Sequence, residues 1–313
     1  MMGGRSVATV SEQTAGVVPA TTAEKDVTGG RVGGLRRYVR RNPSLAVGIA
    51  LLLSLVFFSV IGALTYDTRR ARPLSVIPEM RPSVELPFGS DTQGRDLFAV
   101  MVLGTPMTLR IGLLAGIIGV TVGTVLAFVS AYYGGVVDVL IRGTVDVLLT
   151  VPGLMLLVIL AVMAKNSLTV DQMALVVASL AWLWPTRTIR AQALSLRERS
   201  YVQLARLSGV SGPEIIVKEL LPNLLPYIGA SLVGATAAAV LASIGLEAIG
   251  LGPMEAPTIG MTIYWVIYHS ALLHGMWWWF TPPIVIIIIL FLGLFCLSSG
   301  LDEVANPRLR QQV

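Results

Sequence analysis

Long apolar runs without charge, separated by short polar stretches, dominate this chain. The first, 45–66, holds 22 residues without a charge. As a helix at ~1.5 Å per residue it measures about 33 Å, enough to cross a hydrocarbon core of ~30 Å. It exceeds the ~7–15 residues of a signal-peptide core and no A-x-A site follows, so it reads as a retained helix. Five more runs follow. Segment 107–131 carries one charge, Arg110, and 136–163 has Asp138, Arg142 and Asp146 in its first third only. Segment 172–190 is apolar up to Trp184, 224–246 is rich in Gly and Ala, and 283–300 is nearly all Ile, Leu, Val and Phe. The pattern predicts an all-α polytopic membrane protein with six transmembrane helices.

The organisation that follows has a first transmembrane helix in 35–66 and an extracytoplasmic segment in 67–105. A core of five helices in 106–300 contains an inner loop at 195–222 and an outer loop at 249–282. Residues 1–34, rich in Gly, Ala, Thr, Ser and Val without a period, read as a disordered cytoplasmic tail. A second cytoplasmic tail occupies 301–313.

Composition agrees. The 313 residues are 54% hydrophobic and only 13% charged, against roughly 25% charged in soluble domains. Soluble, disordered and fibrous classes are therefore excluded. The single cysteine, Cys296, allows no intramolecular disulfide, and His269 and His274 alone make no metal site. No G-x-x-x-x-G-K-[ST] occurs, so no nucleotide site, metal or bound cofactor is expected in this chain. With the N-terminus inside, 16 of the 23 Lys and Arg residues fall on inner segments, which places both termini in the cytoplasm. The outer segment balances five basic residues with Asp67, Glu79, Glu85, Asp91 and Asp96.

The 187–222 stretch is longer than a hairpin needs. Residues 195–207 read as a helix that Gly209 ends in a left-handed cap. Ser211-Gly212-Pro213-Glu214 restarts a helix, which Leu221-Pro222-Asn223 closes before the fifth run. Physics alone leaves two readings: an amphipathic hairpin lying on lipid headgroups, or a docking knob for a soluble partner.

At Tyr201-Val202-Gln203-Leu204-Ala205-Arg206-Leu207-Ser208-Gly209, followed after 12 residues by Leu221-Pro222, the chain resembles the E-A-A-x-x-x-G…L-P coupling motif of bacterial ABC importer permeases. It is similar to the dipeptide/oligopeptide/nickel group. Supporting stretches are Phe88-Gly89-Ser90-Asp91-Thr92-Gln93-Gly94-Arg95-Asp96, Tyr132-Tyr133-Gly134-Gly135, Ile249-Gly250-Leu251-Gly252 and Leu301-Asp302-Glu303…Asn306-Pro307-Arg308. Leu204 stands where the pattern has its first Ala. Leu246-Glu247-Ala248 replaces a Leu-Ser-Phe type stretch, and Ile259-Gly260 replaces Trp-Gly.

The resemblance implies one permease of a heterodimer in the bacterial or archaeal inner membrane. Its partners are a second permease, two ABC ATPase subunits that bind the ATP and Mg, and an extracytoplasmic binding protein. It is not itself an enzyme and has no nucleic-acid partner. The implied substrate is a di- or oligopeptide, with an oligosaccharide or nickel as alternatives. An ion-gradient-driven secondary transporter, which would require inverted repeats or midplane acids, is the rival of another class.

Other residues carry paired readings. Asp138, Arg142 and Asp146 lie at i, i+4 and i+8 on one face, a stabilising charge triad or a transmitter of motion. Gly112, Gly116, Gly119 and Gly123 form a small-residue stripe. Gly229, Gly234, Ala235, Ala238 and Ala242 form another. Both read as packing faces, one of them at the heterodimer seam, with a pore lining as the alternative. Glu247, an acid at the outer end of the fifth run, reads as facing the substrate path or as interfacial. Met276-Trp277-Trp278-Trp279-Phe280, just outside the sixth run, reads as an aromatic belt or as part of the outer path.

Overall fold

The computed structural model describes residues 42–164 and 168–305. The 1–34 tail, the basic residues before Asn42 and the Asn306-Pro307-Arg308 motif lie outside them. Helix is the regular element throughout the described residues, with one isolated antiparallel bridge between Ser90 and Asp96. Four helices are long and apolar enough to cross a membrane, and a fifth span arises if one bent pair is counted as one. The all-α membrane class stands, and the expected count of six spans is approached but not matched among the described residues.

Helix α1 (Pro43–Thr65) starts with proline at its first position, where the missing N–H would be unpartnered anyway. Helix α2 (Leu97–Tyr133) runs 37 residues. It begins ten residues before the expected start, because the Asp96 carboxylate accepts from the Phe98 and Ala99 N–H groups and caps it there. Pro106 lies inside this helix and is no boundary.

The third apolar run is broken. Helix α3 (Gly135–Thr150) and helix α4 (Gly153–Met163) meet at 90°. Val151 is extended (φ −82°, ψ 134°) ahead of Pro152. The proline ring crowds the residue before it out of the helical region. The fourth run is divided too, into α5 (Val170–Ala181) and α6 (Leu183–Arg197), which meet at Trp182. Pro185 would clash with the Ala181 carbonyl in a continuous helix, and the Trp182 N–H turns to Leu180 O instead.

After the 198–220 region come α9 (Leu221–Ala248), the shorter helix α10 (Ile259–Tyr268) and α11 (Trp277–Ala305). Helix α11 starts six residues early, so Trp277–Phe280 form its first turns instead of lying outside it.

Helix α2 is the central post. It packs on α1, α3, α5, α6, α9 and α10, and α1 lies along α11. The glycine stripe of α2 makes the close approaches. A side-chain carbon at Gly112 would meet Val240, and one at Gly116 would lie 2.6 Å from Thr236 Oγ1. At Gly119 it would lie 2.7 Å from the Ala181 backbone, and at Gly123 2.8 Å from Pro185. This stripe therefore serves packing within the chain, not a seam with another subunit. On α9, by contrast, nothing lies within 4 Å of Gly229 or Gly234.

Segment 67–96, between α1 and α2, is held by its own polar groups. Asp91 Oδ1 accepts from the Gln93 and Arg95 amides, and its Oδ2 pairs with Arg95 Nε at 2.6 Å, both side chains buried. Tyr66 donates to Asp96 Oδ2 at 2.6 Å. Helix α10 ends in a Schellman motif, with Ser270 N–H on Ile267 O and Ala271 N–H on Val266 O. Ser270 sits at φ +52°, where a Cβ is disfavoured by about 1–2 kcal/mol. Ser270→Gly is expected to stabilise the purified protein by about 1 kcal/mol, read as a higher thermal midpoint. An unchanged or lower midpoint contradicts it.

Candidate partner-docking site

The 198–220 region starts where α6 ends at Arg197 and the chain turns through Glu198 and Arg199. Helix α7 (Ser200–Leu207) follows, so the expected single 195–207 helix is two. Gly209 takes φ +80°, as the cap reading required. Its N–H bonds Arg206 O at 3.1 Å and the Val210 N–H bonds Ala205 O at 3.2 Å, a Schellman closure in which only glycine is unstrained. The second helix is α8 (Gly212–Ile215), and a π-helical turn (Ile216–Leu220) carries it straight into α9. Leu221-Pro222 therefore does not close it. The wider turn, with Leu221 N–H reaching back to Ile216 O, makes room for a proline that has no donor to lose.

One face of α7 is fixed and the other is open. Val202 is fully buried against Phe128, Ala193, Ile215 and Leu220. The Arg206 guanidinium lies 5.4 Å from the Tyr132 ring centroid. A side-chain carbon at Gly212 would sit 2.6 Å from that same ring. Arg197 Nη1 donates to Ala131 O at 2.8 Å. The end of α2 thus grips the loop from three sides. Opposite, Tyr201, Leu204 and Leu207 are 37%, 65% and 85% exposed. Three large apolar side chains thus share one exposed face of an anchored helix. Gln203, Ser208 and Gly209 are exposed beside them, and Ala205 is half-buried.

The expected charge triad is reorganised. Asp138 does not pair with Arg142. It receives Arg190 in bidentate fashion, Nε at 2.5 Å and Nη2 at 2.7 Å, and the Ser130 hydroxyl at 2.5 Å. Arg142 pairs with Asp146 at 3.7 Å, and Arg187 approaches Asp146 at 4.0 Å. Two inter-helical links therefore tie α3 to α6 beside the end of α2. Sequence reasoning missed Arg190 and Ser130. The available signal was Arg187 and Arg190, one helical turn apart after an apolar run.

Glu247 reaches no surface of the chain itself. It is fully buried. Its Oε2 accepts from the Thr258 hydroxyl at 2.5 Å and from the Met261 N–H at 3.1 Å. Thr258 caps α10, and the Ile259 N–H reaches Thr108 Oγ1 on α2 at 3.1 Å. Gly252 and Gly260 leave the room that the carboxylate fills. The carboxylate is an internal pin for α10. The aromatic trio also separates: Trp279 is fully buried, Trp278 is buried and donates to Ser90 O at 3.3 Å, and Trp277 is 57% exposed.

Residues 119–311 match the family model described as the binding-protein-dependent transport system inner membrane component. The chain belongs to this family. Its similarity extends beyond the matched span. It is 30% identical over 230 residues to the "Oligopeptide transport system permease protein OppC" of Mycobacterium bovis, covering 72% of this chain and 77% of the relative. It is 28% identical over 275 residues to the "Dipeptide transport system permease protein DppC" of Bacillus subtilis, covering 88% and 85%. The Haemophilus influenzae "Oligopeptide transport system permease protein OppC" is 28% identical over 223 residues, 70% of each.

The resemblance to ABC importer permeases drawn from the sequence is therefore met, and this chain is a multi-pass transport subunit. In this permease the matched span takes in α7, Gly209, the Asp138–Arg190 clamp and Glu247, while α1 and segment 67–96 precede it.

Proposed function

We propose that this permease imports di- or oligopeptides, driven by ATP hydrolysed on two ABC ATPase subunits that dock on α7. A second permease completes the path and an extracytoplasmic binding protein delivers the solute. The ATP and Mg belong to the ATPases. Both termini face the cytoplasm, as the basic residues favour. The observation that carries the reading is the exposed Tyr201–Leu204–Leu207 face on a helix locked to the ends of α2 and α9. Residues 201–209 with Leu221 and Pro222 form the coupling element. Movement of α7 reaches α2 through Val202 and Tyr132, and α9 through Ile215 and the π-helical turn. The names of the relatives support a peptide as substrate.

The open small-residue face of α9 supports a seat for the second permease. It borders a cavity of about 540 Å³ that also touches Leu157, Val177, Trp184 and Tyr227. The 106–300 region acts as the transport core in this reading.

Co-expression with the neighbouring permease and ATPase subunits tests the proposal. The wild-type chain is expected to retain the ATPases through purification, and replacement of 200–209 by Gly-Ser to release them. Gly209→Val is expected to leave the complex assembled but to cut ATP-driven uptake at least about tenfold, because a β-branched residue at φ +80° opens the cap. A folded wild-type chain that never holds an ATPase would sink the docking reading. Normal uptake by Gly209→Val would sink the role of the bend.

A further inference from the structure

An apolar groove of about 430 Å³ lies between α1 and α11 and is bordered by Pro82, Pro87 and Phe88 of the segment that joins α1 to α2. Leu55 and Ile286 form its floor, Phe58 and Phe88 one wall. Its two lining hydroxyls are already committed. Ser54 donates to Leu51 O and Thr281 to Trp277 O, so neither hydroxyl has a proton left for a polar guest. Along α11 the lining runs from Trp277 to Ile289 in steps of one turn. Twelve residues at ~1.5 Å make about 18 Å. That is close to one leaflet, half of a ~30 Å hydrocarbon core.

The mouth of the groove carries a charge. Arg81, next to the lining residue Pro82, places its guanidinium 5.9 Å from the Trp278 ring centroid. Trp278 is itself fixed by its hydrogen bond to Ser90 O. Arg81 makes no ion pair or hydrogen bond among the described residues. It is exposed, at the depth where α11 begins. An unpaired cation held over an aromatic ring, above an apolar slot one leaflet deep, complements an anionic headgroup on an alkyl chain.

The geometry points to a binding site for one anionic phospholipid, its acyl chain between α1 and α11 and its phosphate on Arg81. The site is separate from the ATPase-docking face and from the α9 cavity. Its occupant ties the first helix to the last and to the outer segment.

The full-length chain, reconstituted in nanodiscs of equal phosphatidylglycerol and phosphatidylcholine and then released into mild detergent, tests this by native mass spectrometry. One retained phosphatidylglycerol per chain is expected. Ser54→Trp, filling the groove from α1, and Val285→Trp, filling it from α11, are each expected to reduce retention about tenfold or more while leaving the thermal midpoint near wild type. Arg81→Gln is expected to keep a lipid bound but to lower the preference for phosphatidylglycerol about fivefold, the effect of one basic residue near a headgroup. Retention without headgroup preference in the wild type overturns the proposal. So does equal retention in both folded tryptophan variants, or a co-purifying polypeptide that the tryptophans displace in place of lipid.

Discussion

Glu247→Ala is expected to destabilise the permease by about 3–8 kcal/mol and to free helix α10. Two effects add. Removing the side chain leaves a cavity, because Gly252 and Gly260 supply no side-chain atoms to refill it; comparable truncations to alanine cost about 2–5 kcal/mol. The Thr258 hydroxyl, fully buried and donating to Oε2, loses its acceptor, at about 1–3 kcal/mol for an unsatisfied buried group. The Met261 N–H is less affected, since Thr258 Oγ1 also accepts from it at 3.2 Å. Glu247→Gln keeps the shape and one acceptor oxygen, so it should remain within about 1 kcal/mol of wild type. Denaturant titration of the purified protein, with hydrogen exchange at α10 amides, separates the cases. Alanine and wild type of equal stability would remove the pin. A glutamine variant as damaged as alanine would mean that the charge, not the hydrogen bonds, holds α10.

The extent to which the sequence announced these features depends on the range of the interaction. The apolar runs located every long helix, because a membrane span is a local property of composition. The Gly209 bend was legible for the same reason: a cap is settled by a few neighbouring residues. The path of the chain within the runs was not. Pro152 and Pro185 both stand in the sequence, yet an unbroken apolar run gives no sign of whether a proline kinks a span or turns it through 90°. The i, i+4, i+8 spacing of Asp138, Arg142 and Asp146 suggested pairing within a helix. A planar guanidinium presenting two donors from α6 outcompetes it, since the bidentate geometry is the stronger one. Glu247 was noticed for its depth, but its partners come from Thr258 and Met261, beyond a turn whose direction no local pattern gives. The α2 glycines were recognised as a packing face. Which helices they meet follows only from the fold.

Arg190→Ala is expected to separate transport from ATP hydrolysis. The pair it breaks joins α3 to α6 at the end of α2, where Ser130 Oγ lies 3.0 Å from Arg190 Nε and donates to Asp138. Loss of one partner of a buried ion pair costs about 3–5 kcal/mol. Here the side chains are 17% and 20% exposed, and water screens part of that, so about 2–3 kcal/mol is expected. The α7 face is untouched by the change: Val202 keeps its neighbours and Arg197 still holds Ala131 O. With the ATPases docked on α7 as proposed, a complex carrying Arg190→Ala should therefore keep them and hydrolyse ATP, while uptake falls about tenfold or more because α3 and α6 no longer follow α2 as one body. Arg190→Lys offers a point charge in place of a fork and should recover only part of the uptake. In the double variant with Asp138→Ala no carboxylate is left unpaired, so stability should recover by about 1–2 kcal/mol relative to Arg190→Ala alone. Uptake should stay low, because the link itself is gone. That divergence, stability restored without transport, distinguishes a transmitting clamp from a merely stabilising one. Uptake that returns in step with stability would show that the pair only holds the helices in place.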